Sequence, residues 1–250
     1  MSNAEASEPM KPEHQTGGDC TLALETSSRQ GGVAVGRGEA ILGVRELPSL
    51  MGHAAELLPA IDSLCRECGV APGDIGRVFV SIGPGSFTGL RIGVTVAKML
   101  AFGGRAVVVG VPSMRVIAHN ALQMTPPPVH VAVALDAHRD SVYGCLLRLA
   151  DGWYEPVTEP AEVAPGAWLK SLPGDAVLLG EGVAVVRRVA GEPACRVAPE
   201  GLHIPRAQAV HALGLRLLAT RGADDAMRLV PHYVREAAAV EKWRAMGRGG

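Results

Sequence analysis

One stretch near the middle of the chain constrains the fold more than any other. Arg77 to Ile82 is an apolar run of strand length, and it leads directly into Gly83-Pro84-Gly85-Ser86-Phe87-Thr88-Gly89. Leu90 to Phe102 then continues as a helix that is apolar over most of its surface. A buried strand, a glycine-rich turn and an apolar helix make a βα unit, which calls for a sheet covered by helices. Three glycines and a proline within seven residues leave little side-chain bulk, so another backbone or a ligand can approach closely. Ser86 or Thr88 suits the cap of the helix that follows. A glycine-rich loop at a helix start is a general anion site. The pattern is neither G-x-x-x-x-G-K-[ST] nor G-x-G-x-x-G, however, and the residues alone leave a phosphate loop and a structural turn equally open.

The surrounding elements extend this unit. Thr21 to Leu24, which enters the polar turn Glu25-Thr26-Ser27-Ser28, Gly32 to Val35 and Ala40 to Leu47 are three short strands, with Gly36-Arg37-Gly38 as a turn. Met51 to Gly69 has Leu57, Leu58, Ile61, Leu64 and Cys65 at helical spacing, with Gly69 as its C-terminal cap. Ala106 to Val111 is a β-branched strand, and Ser113 to Leu122 a helix. The order predicts a mixed five-stranded sheet with helices on its faces. After the linker Thr125-Pro126-Pro127-Pro128, strands at Val129 to Leu135, Ser141 to Leu149 and Trp153 to Val157 begin a reduced second copy. A short helix around Trp168, a strand at Val177 to Leu179 and a helix within Ile204 to Arg221 complete it. The expected organisation is a flexible leader over 1–19, a first lobe over 20–124, and a second lobe with a C-terminal tail over 125–250.

Composition removes several functions. With 24 basic against 25 acidic residues, the net charge of −1 supplies no long-range attraction to nucleic acid. Aromatic residues are only 4%, too few for base-stacking platforms. No apolar run reaches the roughly 20 residues of a membrane helix, and the leader has no apolar core of a secretory signal. A cytoplasmic location is expected. The five cysteines are irregularly spaced. Cys65 and Cys68 form a C-x-x-C without a second pair, which reads as two half-buried thiols rather than a zinc or redox site.

Ile82-Gly83-Pro84-Gly85-Ser86-Phe87-Thr88-Gly89-Leu90-Arg91-Ile92-Gly93 closely resembles the signature of the TsaB (YeaZ) family. Four other segments carry the same resemblance. Leu24-Glu25-Thr26-Ser27 resembles that family's opening strand and turn, where Asp is the commoner acid. His53 with Leu57-Leu58-Pro59 resembles its H-x-x-x-L-L-P helix. Asp136-Ala137-His138-Arg139-Asp140-Ser141-Val142-Tyr143 resembles its D-A-R-x-x-E-V-Y segment with two departures, and Pro231-His232-Tyr233-Val234-Arg235 resembles its P-x-Y-L-R. The resemblance implies a two-lobed α/β fold of the actin-like ATPase, sugar kinase and Hsp70 type, each lobe a mixed five-stranded sheet. It also implies a role beside a paralogous catalytic subunit, TsaD, and a small ATPase, TsaE. Together these place threonylcarbamoyl on N6 of adenosine 37 in tRNAs that read ANN codons.

The catalytic paralogue holds a metal through an H-x-x-x-H pair after the fifth strand of its first lobe. Val111-Pro112-Ser113-Met114-Arg115-Val116-Ile117-Ala118 corresponds to that segment here and contains no histidine. Pro112 or Ser113 stands in the first ligand's place and Ile117 in the second's, and an isoleucine cannot bind a metal. The chain is therefore expected to have no catalytic residues and no metal of its own. The enzyme alternatives, a glycoprotease-like metallopeptidase or a stand-alone ATPase of the same fold, lack a legible nucleophile, metal pair or phosphate lysine.

An apolar helix needs two covers, the sheet on one side and something else on the other. The expected docking surface for TsaD, or for a second copy in a homodimer, comprises His53, Leu57, Leu90, Ile92, Val96 and Met99. The glycine-rich loop is a further candidate site, through Gly83, Pro84, Gly85, Ser86, Thr88, Gly89 and Arg91. Thr26, Ser27 and Ser28 occupy the first phosphate-loop position of the actin-like fold, so weak nucleotide contact is expected there. ATP or ADP is then held only in a site shared with the partner. Contact with tRNA is expected only through the complex, with Arg187, Arg188 and Arg196 as the one alternative basic patch.

Overall fold

The structure is a computed structural model and describes residues 18–47, 53–104 and 106–234, with the side chains of 53–55 and 104 excluded. The leader up to residue 17, the His53 side chain and Arg235 onward therefore lie outside the described residues. Strands β1 (Cys20–Glu25), β2 (Gly31–Arg37) and β3 (Ala40–Leu47) form an antiparallel meander. Helix α1 (His53–Glu67), β4 (Ile75–Gly83), α2 (Phe87–Gly104) and β5 (Val107–Pro112) follow. The sheet order is β3-β2-β1-β4-β5, with β1, β4 and β5 parallel.

Side-chain alternation along the strands sends two sets of residues to opposite faces. Cys20, Leu22, Leu24, Val33, Val35, Val78 and Val80 pack beneath Leu57, Ile61 and Leu64 of α1 and Val94, Val96 and Ala97 of α2. Ala23, Ala34 and Phe79 point the other way. The small residues on that face admit a helix at close range. It is α6 (Ala207–Arg221), whose Val210, Leu213 and Leu217 fill the layer. At Gly214 the backbone comes so near Phe79 that an added Cβ would lie 2.2 Å from its ring.

This placement corrects the expected boundary at 125–250. Helix α6 packs on the first sheet, and the chain from Asp224 to Tyr233 continues as a strap over the same lobe. Asp224 bridges to Val108 on the outer edge of β5, and Leu229 enters the α1–α2 core. Periodicity established α6 as a helix, but its apolar stripe carries no indication of which sheet it serves.

The second sheet contains β6 (His130–Asp136), β7 (Val142–Ala150), β8 (Trp153–Pro156), β9 (Ala161–Val163), β10 (Val177–Leu179) and β11 (Arg196–Val197). Its order is β11-β10-β6-β7-β8 with β9 also on β7, so it has six strands where five were expected. Helices α4 (Pro165–Ser171) and α5 (Val183–Ala190) cover one face through Trp168, Leu169, Val183 and Val186. The other face meets α3 (Ser113–His119). Helix α3 joins the lobes: Met114 and Ile117 belong to the second core, and Val116 to the first.

A polar latch reinforces that junction. Glu155 on β8 accepts from Arg115 of α3 at 2.8 Å and Arg216 of α6 at 2.9 Å. Trp153, two residues earlier on the strand, stacks on His119 at 5.4 Å and lies under Arg216 at 4.8 Å. Glu155→Ala is expected to lower stability by about 1–2 kcal/mol, because two largely buried guanidinium groups lose their shared acceptor. The remaining exposure of Glu155, 38%, keeps the loss below that of a fully buried pair. Urea unfolding measures it, and an unchanged midpoint would mean that the latch contributes nothing.

Candidate functional site: the glycine-rich loop and the face of α2

Ser86 caps α2, its Oγ accepting the Gly89 amide at 3.2 Å, so the helix begins three residues earlier than the apolar run predicts. The loop before it is clasped between two other backbones. The Ser86 amide donates to the Ser27 carbonyl at 2.7 Å. A Cβ on Gly85 would lie 2.2 Å from that same carbonyl oxygen, and one on Gly89 2.0 Å from the Thr26 oxygen. On the other side the His232 amide donates to the Ile82 carbonyl at 2.6 Å, and a Cβ on Gly83 would lie 2.6 Å from the His232 oxygen. Gly83, at φ 110°, also needs a conformation that L side chains rarely adopt. Its amide donates to Ser113 Oγ at 3.0 Å, and Pro84 beside it is buried. Close packing of backbone on backbone is thus what these glycines serve.

The polar turn at the end of β1 is equally closed. Ser27 donates to Glu25 Oε1 through both its amide and its hydroxyl, each at 2.6 Å, and Ser81 Oγ donates to Glu25 Oε2. Ser28 Oγ donates to the Gln30 carbonyl. The Thr26 hydroxyl is buried without a partner, against Gly93 of α2. Thr26, Ser27 and Ser28 are all buried, so the hydroxyl groups expected to touch a nucleotide are turned into the lobe. Burial raises the Glu25 carboxyl above its ordinary pKa, against the pull of the Ser27 and Ser81 hydrogen bonds. Glu181, on the turn after β10, is also raised by burial, opposed by Arg29 and reinforced by Asp136. A polyphosphate approaching this turn would meet Glu181 and Asp136, with Arg29 opposing them.

The structure sorts the expected docking residues into two groups. Leu57 and Leu90 are fully buried and Val96 is 7% exposed, all three inside the first lobe. This is a correction: an apolar helix gives no inward or outward phase, and α1 and the strap cover both of its flanks. Ile92 is half-buried against the core. Met99 and Phe102 are open, at 61% and 60% exposure. With Phe87, Thr88, Arg91 and Thr95 they form a stripe along α2 at helical spacing. The strap shapes one end of this stripe. Tyr233 lies 5.0 Å from the Phe87 ring and accepts from Arg91 Nε at 3.1 Å, while Arg91 sits 3.8 Å over Phe87. Lys98 ties the strap down through the carbonyls of Met227 and Leu229. Sequence reading named Tyr233 only by resemblance and missed Lys98, because an extended strap has no periodicity to read.

Where the paralogue's metal pair would stand, the Ser113 hydroxyl is engaged by the Gly83 amide and Ile117 is fully buried between the lobes. The turn at His138, Arg139 and Asp140 is left-handed at all three residues, with φ of 63°, 51° and 64°. Asp136 caps it through the His138 amide, and Asp140 pairs with Arg188 of α5. These bonds stay within the second lobe. Arg187 pairs with Glu192, so the expected patch of Arg187, Arg188 and Arg196 is largely neutralised.

Two mixed sheets bridged by α3, with a βββαβαβ first lobe, define a protein of the actin-like ATPase and sugar kinase fold class. A family model described as TsaD, tRNA N6-adenosine threonylcarbamoyltransferase, matches residues 49–243. The TsaB protein of Bacillus subtilis (strain 168), named for tRNA threonylcarbamoyladenosine biosynthesis, is 30% identical over 229 residues, 89% of this chain and 96% of that one. The Haemophilus influenzae TsaB protein is 33% identical over 123 residues, 49% of this chain and 51% of its own. The solved structure of YeaZ from Pseudomonas aeruginosa superposes with a TM-score of 0.75 at 28% identity, over 86% of this chain and 99% of that one. The chain belongs to the TsaB (YeaZ) family.

Proposed function

We propose that the chain is the non-catalytic subunit of the assembly that makes N6-threonylcarbamoyladenosine at position 37 of tRNAs reading ANN codons. It docks to the TsaD-type catalytic paralogue through the open stripe on α2. The observation that carries this reading is the pairing of an unserviceable metal position with an exposed apolar helix face. Pro112 or Ser113, and Ile117, stand where the resemblance places the ligands, while Met99 and Phe102 are exposed. In isolation the same stripe supports a homodimer. A TsaE-type ATPase joins the complex in the cytoplasm, and tRNA is met only through the assembly. At the turn after β1 the chain takes no nucleotide alone, and ATP or ADP binds there only where the partner completes a site. The inward-turned hydroxyls of Thr26, Ser27 and Ser28 support that reading.

The test mixes the chain with the paralogue and follows both association and threonylcarbamoyl transfer. Met99→Glu is expected to weaken association about tenfold with the fold unchanged, because the charge enters an interface from an exposed site. Val96→Glu would instead place a charge in the core and unfold the lobe, so it is no probe of docking. Full association and transfer by Met99→Glu and Phe102→Glu together would remove α2 from the interface. Transfer by the chain without a partner would overturn the non-catalytic reading.

A further inference from the structure

We propose that a groove beside the lobe junction, between Arg196 and Arg206, binds a phosphate group. It consists of two adjoining hollows of about 200 and 390 Å³ that share Gln123 and Arg206. One wall is the 3-10 turn Asn120–Gln123 with Met124 and Thr125 after it. The opposite wall is Arg196 on β11 with Pro199, Gly201 and Leu202, and the start of α6 closes the end.

The charge of this groove departs from that of the molecule. The chain as a whole is at −1, yet among the described residues no carboxylate lines either hollow. Arg187 and Arg188, close by in the sequence, are each held by an acid, at Glu192 and Asp140. Among the described residues Arg196 and Arg206 have no ion pair. Arg206 makes one hydrogen bond, from Nη2 to the Gly201 carbonyl at 3.0 Å, which anchors the side chain and leaves its other donors free. A guanidinium held by a backbone carbonyl keeps its full charge and a fixed fork, the geometry that matches two oxygens of a phosphate. The first turn of α6 adds to the same field, since no side chain caps it.

The neutral lining narrows the ligand. Met124, Pro199 and Leu202 give the lining an apolar part, and Gln123 and Thr125 an uncharged polar part. The larger hollow has the size of a pocket for one small molecule. Among the described residues no Phe, Tyr or Trp lines either hollow, and His119 at the smaller one already stacks on Trp153, so the phosphate carries the affinity. The ligand class is a phosphate mono- or diester, either on a free phosphorylated small molecule or in an RNA backbone. Lobe docking and this groove use different surfaces, so the inference does not rest on the α2 reading.

Isothermal titration of the full chain with inorganic phosphate, AMP and a short single-stranded RNA tests it. Arg196→Gln and Arg206→Gln are each expected to weaken binding about tenfold, and the double variant to abolish it. Arg188→Gln is the control and should bind as the unaltered chain does. Urea midpoints for all variants confirm that folding is intact. Phosphate or AMP binding that is lost in the double variant identifies a free phosphorylated ligand. RNA binding alone, lost in the same variant, identifies the phosphodiester. No binding of any probe at about 10 mM, or binding that survives in the double variant, overturns the proposal.

Discussion

Gly85→Ala is expected to cost the protein about 3–4 kcal/mol, enough to unfold a large fraction of a domain of ordinary stability. The added methyl would lie 2.2 Å from the Ser27 carbonyl oxygen, 2.9 Å from its Cβ and 3.0 Å from its carbonyl carbon. Two of these atoms are backbone and cannot rotate aside. The carbonyl is also fixed, because it accepts the Ser86 amide at 2.7 Å while the Ser27 amide and hydroxyl donate to Glu25. Relief of the clash therefore breaks a buried hydrogen bond as well as moving the loop, and the two costs add. Gly103→Ala is the matched control. It lies near the end of α2 with nothing within 4 Å of its added Cβ, so it should be neutral or gain up to about 1 kcal/mol through helix propensity. Urea unfolding of the pair tests the close packing at Gly85. Equal midpoints for the two variants would mean that the Ser27 backbone does not confine the loop.

The sequence carried this βα unit clearly because three kinds of signal coincide there: an apolar run, glycines at the turn and an apolar helix. It carried the first-lobe meander and α1 for the same reason, through alternation and helical spacing. Other features depended on contacts far apart in the chain. Val96 and Met99 are both apolar residues of α2, and only the positions of α1, the sheet and the strap send one inward and leave the other in solvent. Glu155 looks like any surface acid until β8 brings it between Arg115 and Arg216. The strap resembles a tail because several of its bonds run to backbone carbonyls, as at Met227, Leu229 and Ile82, and these leave no side-chain pattern. Thr26, Ser27 and Ser28 were legible as polar, but polarity does not reveal whether a hydroxyl faces a ligand or its own lobe.

Glu25→Gln is expected to flatten part of the pH dependence of stability, while Glu25→Ala should cost about 2–4 kcal/mol below pH 4.5, where the contribution of the carboxyl is fully present. The side chain is fully buried and receives three donors, the Ser27 amide, the Ser27 hydroxyl and the Ser81 hydroxyl. Alanine leaves all three without their acceptor. Glutamine retains an oxygen for Ser27, and its amide can donate to the Ser81 hydroxyl once that group rotates, so the packing is preserved. The charge is what differs. Burial holds the folded carboxyl above its ordinary value of 4.5, so the folded state keeps a proton that the unfolded chain has already released. Stability from this group is thus fully present below 4.5 and is lost as pH rises through the raised folded value. Glu181 titrates in the same direction and Asp224 in the opposite one, so the readout is the difference between wild-type and Glu25→Gln unfolding curves. That difference should grow with rising pH in favour of Gln. Parallel curves would mean that Glu25 ionises as freely in the fold as outside it. A carboxyl that resists ionisation is also a weak seat for the cation that accompanies a nucleotide. The pH difference therefore reports on why the first turn of this lobe is packed shut rather than open to phosphate.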